Sequence, residues 1–598
     1  PPTYLQPLSL TRVGRCRLRV SACPQAKTRH CHSPPETLAM NVKMKRLPLM
    51  LLGICQCALA QQIPSIPGAG SQLRQIAPAP ALPRATPDMR IEQAPSTPPP
   101  DSGSTRVQVS ALSIKGAVIF PVDDLVRVSG FKPGALVSLA DLEVMASRIT
   151  EHYHQHGYFV ARAYLPAQTI VGHVVTIVVS EGRYGNITLR NQSHLNDGLA
   201  HGLLGGLDSG DPITVDPLET RLLLLSDLPG VNVSSTLVPG ATPGQSDLLV
   251  NVTPGQRITG EVDADNGGNP YTGNIRLGGT VNLNNPLGYG DVASLRLLTS
   301  GHGLRYGRAS YQLEVGRATI GVAYSDLHYE LGKQFSGLHA NGNAQVATLY
   351  SSMPLIRSRD SNLYVGLAYD HRTYEDRIEL FSSVAERHAN VLTASLYGNH
   401  QDSWWGGGSN AFYLGVSHGS LDIQTPWARA ADAAGARTDG AYSKVWLNVS
   451  RLQHVTDTFS LYGSATGQWA SKNLDPYEQL ILGGMDGIRA YPQGEAYGDE
   501  GYLLYLEGRL LLTGLSAHVP GQVHLLGFVD NGGVTVNRNP WTDGSNHRHL
   551  SSVGAGLDWT EQGNFSVRTY YAWKLGSENA VSAPDKSGRF WIQAIKYF

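Results

Sequence analysis

The chain has 598 residues but only five cysteines, and none lies beyond Cys57. Cys16, Cys23, Cys31, Cys55 and Cys57 all fall at or before an apolar stretch that reads as a cleavable leader, so the mature part carries no thiol. That excludes a disulfide framework and a cysteine-held zinc site. Charge is scarce too, at 16% of residues. No run of 18 apolar residues occurs, which argues against membrane-spanning helices. A glycine-rich phosphate loop, a nucleophile elbow and paired catalytic acids in a fitting context are all missing, so neither an enzyme nor a cofactor is expected. His152, His154 and His156 crowd together, but only His152 and His156 share a helix face and no carboxylates converge on them. A polar helix surface is expected there, and no metal.

The leader itself is well marked. Met44-Lys45-Arg46 is a basic start, Leu47 to Cys57 an apolar core, and Ala58-Leu59-Ala60 a small-residue cleavage site, giving a signal peptide over 40–60 that begins at Met40 or Met44. Residues 1–39 fit no role ahead of it and read as a non-native upstream segment. Residues 1–60 hold nine of the 47 Lys+Arg and one of the 48 Asp+Glu, which leaves 38 basic against 47 acidic, a net of −9. Such a balance does not favour nucleic acid. Residues 61–104 are rich in Pro, Ala and Ser and read as an extended linker, in which only Gly70 to Ile76 has the makings of a short helix.

Two small α+β units follow, at 105–182 and 183–255. In the first, Val107, Val109, Leu112 and Ile114 mark a strand. Ser138 caps a helix running to about His156, with Leu139, Leu142, Met145, Ile149 and Tyr153 at helical spacing. Strands Val160 to Tyr164 and Val174 to Ser180 complete it. The second unit repeats the order, with a strand at Asn186 to Arg190, helices near Leu195 to Leu203 and Asp216 to Leu225, then strands Val231 to Val238 and Leu248 to Val252.

From 256 to 598 the helical period gives way to alternation. Segments of about ten residues recur about every 20, separated by Gly, Asn, Asp and Pro turns. Leu277, Val281 and Leu283 oppose Arg276, Thr280 and Asn282; Leu461, Ala465 and Trp469 oppose Ser464, Thr466 and Gln468. One face suits lipid and the other a polar lumen. The count comes to about 16 strands, so an antiparallel transmembrane β-barrel closed by Tyr597-Phe598 is expected, with outer-membrane lipid around it. Tyr350, Tyr374, Tyr397, Trp404, Trp405 and Tyr442 near strand ends are assigned to interfacial girdles. Lys596 shares a face with Ile592 and Phe598 and is expected to snorkel.

About 30 residues separate the strand ending near Ala470 from the one starting near Gly501, and a loop that long is usually functional. It contains Gly483-Gly484-Met485-Asp486-Gly487-Ile488-Arg489-Ala490-Tyr491-Pro492, then Gln493-Gly494-Glu495-Ala496-Tyr497-Gly498-Asp499-Glu500-Gly501. This resembles the inward loop of the BamA-like outer-membrane superfamily, and its Ala, Pro and Gly-Asp look like the two-partner-secretion branch (ShlB/FhaC/HecB). Asp265-Asn266-Gly267-Gly268 and Asn284-Asn285-Pro286-Leu287-Gly288-Tyr289-Gly290-Asp291 look like the same branch. The resemblance covers the chain from about Gly70 onward.

The resemblance implies that the α+β units are periplasmic POTRA domains and that the barrel exports an unfolded partner exoprotein of the TpsA type. It also implies that residues 70–76 are a plug helix and that barrel-assembly machinery inserts the chain. The loop motif Ile488, Arg489, Ala490 and Tyr491 would fold into the lumen, where Arg489 pairs with the Asp of Phe528-Val529-Asp530-Asn531-Gly532. The alternation agrees. Val523, Leu525 and Val529 face lipid, so Phe528, Asp530 and Gly532 face inward, and Leu504, Leu506 and Leu510 outward put Glu507 and Arg509 in the lumen. Ala490 replaces the superfamily's Gly. Each POTRA unit offers a sheet edge beside a helix for an added client strand, and the groove of the first unit is preferred. The alternatives are a barrel-assembly factor of the same superfamily and a passive porin.

Overall fold

The computed structural model describes residues 66–76, 88–91 and 106–598. The expected leader and upstream segment, 1–60, lie outside the described residues. Sixteen antiparallel strands, from Ile258–Asp265 to Gly588–Tyr597, close into one barrel. Each pairs with the next barrel strand, and the last returns to the first from Glu261↔Tyr597 to Asp265↔Gln593. A reciprocal pair of main-chain bonds between Gly260 and Phe598 extends that seam. The exposed faces are those the alternation selects, with Leu277, Val281, Leu504, Leu506, Leu510, Leu525 and Val529 pointing out.

Three expectations need correction. Val523 is buried although it has outward parity. The turn carrying the short helix Thr513–Ser516 folds back there, so that Val523 N donates to Ser516 Oγ at 3.0 Å. Leu139 opens its helix half-exposed and is not part of the core. Among the aromatics, Tyr374 and Tyr442 are buried in the lumen, Tyr350 donates to Gln312, and Tyr397 stacks on Tyr364 at 5.3 Å. The Tyr350 and Tyr442 hydroxyls find polar partners on the lumen side, at Gln312 and Glu478. The surface end instead exposes Trp469, Tyr502, Trp573 and Phe590, while Trp404 and Trp405 stand exposed in a turn at the other end. Lys596 does reach out of the lipid face, to Asn564 in the neighbouring turn.

In the first α+β unit the expected leading strand is two, Arg106–Val109 and Ala111–Lys115, which join different sheets. Helices Val122–Ser129 and Leu139–Gln155 pack on them. Ser138 caps the second helix through a full capping box with Asp141, and this hydrogen bonding holds the Asp141 carboxyl below its usual range. The edge strand Arg162–Tyr164 lies beside that helix, where Ala163 N donates to Thr150 Oγ1 at 2.9 Å and His154 Nε2 bonds Ala161 O at 2.9 Å.

The second unit has Arg183–Asn191, helices Asp197–Leu204 and Val215–Ser226, and strands Val231–Pro239 and Gln245–Pro254. One edge of its sheet is already taken. Linker strand Asp88–Ile91 lies parallel to Val231–Pro239, in register Asp88↔Ser234 to Ile91↔Leu237. Nothing in the linker's composition marks that strand.

The second unit grips the barrel rim. Asp227 takes Arg357 through both guanidinium arms at 2.7 and 2.8 Å, and Glu219 meets Arg359 at 2.6 Å. Asn196 N donates to Gly288 O in the turn 285–291. That turn is built around Asp291, which accepts from Leu287 N, Tyr289 N and Tyr311 OH. The Asn-Asn-Pro-Leu-Gly-Tyr-Gly-Asp motif is therefore a docking turn. Because the α+β units sit at this rim, loop 471–499 emerges at the opposite, surface end.

Candidate functional site: a loop folded into the barrel

Strands Phe459–Ala470 and Glu500–Leu511 are adjacent, and the loop between them turns back into the lumen. A small ladder, Leu480–Ile481 with Tyr497–Gly498, shapes its base. Ile488, Ala490 and Tyr491 are fully buried with Leu482 and Phe528 in one apolar cluster. The loop thus packs like a core element, and its polar groups need partners.

Arg489 finds them on the wall. Its Nη2 donates to Asp530 Oδ1 at 2.7 Å, its Nε to Oδ2 at 3.0 Å, and its main-chain N to the same carboxylate at 3.2 Å. Nη1 donates to Glu507 Oε2 at 2.9 Å, and the guanidinium lies 3.3 Å from the centre of the Phe528 ring. Planar, bidentate recognition of this kind is what arginine supplies and lysine does not. Gly532 also faces in, and a Cβ there would meet Leu482 Cδ2 at 3.0 Å, so the loop packs directly over it. Ala490 sits in the cluster without a positive φ, so the missing glycine introduces no strain. All eight expected residues therefore converge.

Sequence reading missed several contributors. Ser552 Oγ donates to Asp530 at 2.7 Å, and Trp591 Nε1 to the Arg489 carbonyl at 2.6 Å. The base of the loop is tied to the far wall. Glu478 pairs with Arg372 and with Lys444 at 2.5 Å, Tyr442 donates to it, and Arg387 bridges Asp475 and Asp376. Strand parity gives a side chain's face, but no spacing tells which inward charge meets the loop.

Helix Ala69–Arg74 lies in the same space. Ala69 N donates to Asp376 at 2.7 Å, Gln75 Nε2 to Tyr497 OH at 2.7 Å, and Asn269 and Arg276 bond Gln75 in turn. The expected helix at Gly70 to Ile76 is thus real, and it is held by the loop as well as the wall. Among the described residues no group of three or more His, Cys, Asp or Glu is arranged to hold a metal. The His152 and His156 rings sit 4.4 Å apart against Phe120.

A closed 16-stranded barrel, tandem α+β units at one rim and an arginine loop locked inside define a polypeptide-transporting barrel of the outer membrane. The pattern of the haemolysin secretion/activation protein ShlB/FhaC/HecB matches residues 244–559, and that of the ShlB-type POTRA domain matches 107–182. The heme/hemopexin transporter protein HuxB of Haemophilus influenzae is 30% identical over 486 residues, 80% of this chain and 84% of the relative. The outer membrane transporter CdiB of Escherichia coli O6:K15:H31 is 25% identical over 535 residues, 86% and 87% of the two chains. The solved structure of CdiB from Escherichia coli superposes with TM-score 0.63 at 23% identity, over 84% of this chain and 93% of that one. The chain belongs to the ShlB/FhaC/HecB family. It is an outer-membrane transporter of two-partner secretion with its POTRA domains in the periplasm.

Proposed function

We propose that the client is an unfolded exoprotein captured at the first POTRA domain and passed through the lumen once loop 471–499 and helix Ala69–Arg74 give way. The observation that carries this is the Arg489–Asp530–Glu507 cluster. It holds a mobile class of element, a loop, against the wall by charge rather than by covalent or sheet structure, so it can be released and remade. Likeness to the heme/hemopexin transporter protein HuxB makes a heme-binding exoprotein the first client to test. The superfamily's barrel-assembly machinery is the natural route of insertion. The two POTRA domains and the family match favour secretion over barrel assembly or passive diffusion.

The docking edge is Arg162–Tyr164. Ala163 N on this edge and Ala161 O just before it are bonded by Thr150 and His154, and a client strand would replace those side-chain bonds at small net cost. In the second unit the Val231–Pro239 edge is covered by Asp88–Ile91. Ala163→Pro removes the edge N–H while an edge strand tolerates the ring. Co-expression with the exoprotein should show secretion into the medium reduced about tenfold at equal barrel levels. Unchanged secretion would reject this edge.

A further inference from the structure

Glu495, in the returning half of the loop, is fully buried. Its carboxylate accepts from Arg548 Nη1 at 2.5 Å, Val581 N at 3.0 Å, Ser582 N at 2.9 Å and Ser582 Oγ at 2.6 Å. None of these groups belongs to the Arg489 cluster. Arg548 stands on barrel strand His547–Glu561 and also holds Glu578 Oε1 at 3.1 Å and Asn579 O at 2.9 Å. Tyr491 OH donates to Glu578 O at 3.0 Å, and Ala580 and Ala583 are buried nearby.

Residues 575–587 connect the last two strands at the surface end. One knot therefore joins a carboxylate of the inner loop, a cation of the wall and two consecutive amides of a surface loop. A buried carboxylate without such donors is strongly unfavourable, so the three parts separate together or not at all. We propose that Glu495 is a latch that fastens surface loop 575–587 down on the inner loop and closes the outer mouth. Arg489 fixes the inner loop to the wall, and Glu495 fixes the surface loop to the inner loop. The latch rests on reading loop 471–499 as the inner closure of the channel, but its test requires no client.

No cysteine lies beyond Cys57, so with the expected leader removed Ala583→Cys supplies a single buried thiol in the surface loop. Intact cells expressing the full chain are treated with a membrane-impermeant maleimide, and barrel assembly is checked by heat-modifiable migration. Labelling should be slow in the parent and in Arg489→Ala, and about tenfold faster with Glu495→Gln or Arg548→Gln. If those two variants fail to assemble, Ser582→Ala, which removes one donor and keeps the carboxylate, should still raise the rate measurably. Equal rates in all assembled variants, or fast labelling in the parent, would overturn the latch. Loss of secretion with labelling unchanged would count against the latch alone and leave the channel reading standing.

Discussion

Arg489 carries a permanent charge into a space where water is largely replaced by the loop, so its worth depends on both carboxylates and on Phe528. Removing one partner of such a buried cluster costs about 3–5 kcal/mol, mostly from the charges left behind. The two sides are unequal. Without Arg489, Asp530 loses its cationic partner while Glu507 keeps Arg509; without Asp530, Arg489 keeps Glu507. Secretion should therefore fall further in Arg489→Ala than in Asp530→Ala, with the barrel assembled in both, as measured by exoprotein in the medium against barrel in the membrane. The reverse order would mean that Asp530 acts through something other than Arg489. The family resemblance of the loop motif implied this pair, and the alternation of the strand agreed with it. Ser552 and Trp591 were not legible, because strand periodicity gives a side chain's face but not its depth along the wall.

At the scale of elements, helix Ala69–Arg74 has six residues, far below the ~12–15 at which an isolated helix holds in water. Its shape comes from what surrounds it, which is why the sequence offered only a faint helical signal. The barrel seam is short by comparison with its neighbours, and Asn266 lengthens it. Its Nδ2 donates to Phe590 O at 2.9 Å and its Oδ1 accepts from Ile592 N at 2.8 Å, so the side chain imitates one more strand residue. Asn266→Ala should lower the temperature of heat-modifiable unfolding, and an unchanged temperature would show that the seam does not depend on it. In the first POTRA domain, burial and the neighbouring His156 hold the His152 imidazole below its ordinary 6.5. The folded form then binds protons less readily than the unfolded one. Its contribution is whole above pH 6.5 and declines as pH falls below that value. Amide-exchange protection factors of helix Leu139–Gln155, corrected for the intrinsic pH dependence of exchange, should fall on acidification through this range, and less so in His152→Phe.

Across the whole molecule, loop 471–499 is a bar fixed at both ends. Asp475 and Glu478 hold Arg387 and Arg372 on one wall, while Arg489 holds Asp530 and Glu507 on the other. The short helix sits on the same charges, since Asp376 accepts from both Ala69 N and Arg387. Asp376→Ala should therefore loosen helix and loop together, seen in planar bilayers as more frequent and longer open events. Openings like those of the parent would show that the two are held independently.

The sequence by itself determined the barrel, its strand number, the two α+β units and the inward parity of Glu507, Phe528 and Asp530, because a sheet with lipid on one side and water on the other writes its faces as a period of two. Only the tertiary structure decided where Asp88–Ile91 pairs, which inward charges meet the loop, that Tyr374 and Tyr442 line the lumen, and that Glu495 reaches a surface loop some 87 residues away in sequence. Those contacts join residues distant along the chain through single side chains. A contact made once leaves no repeat to read.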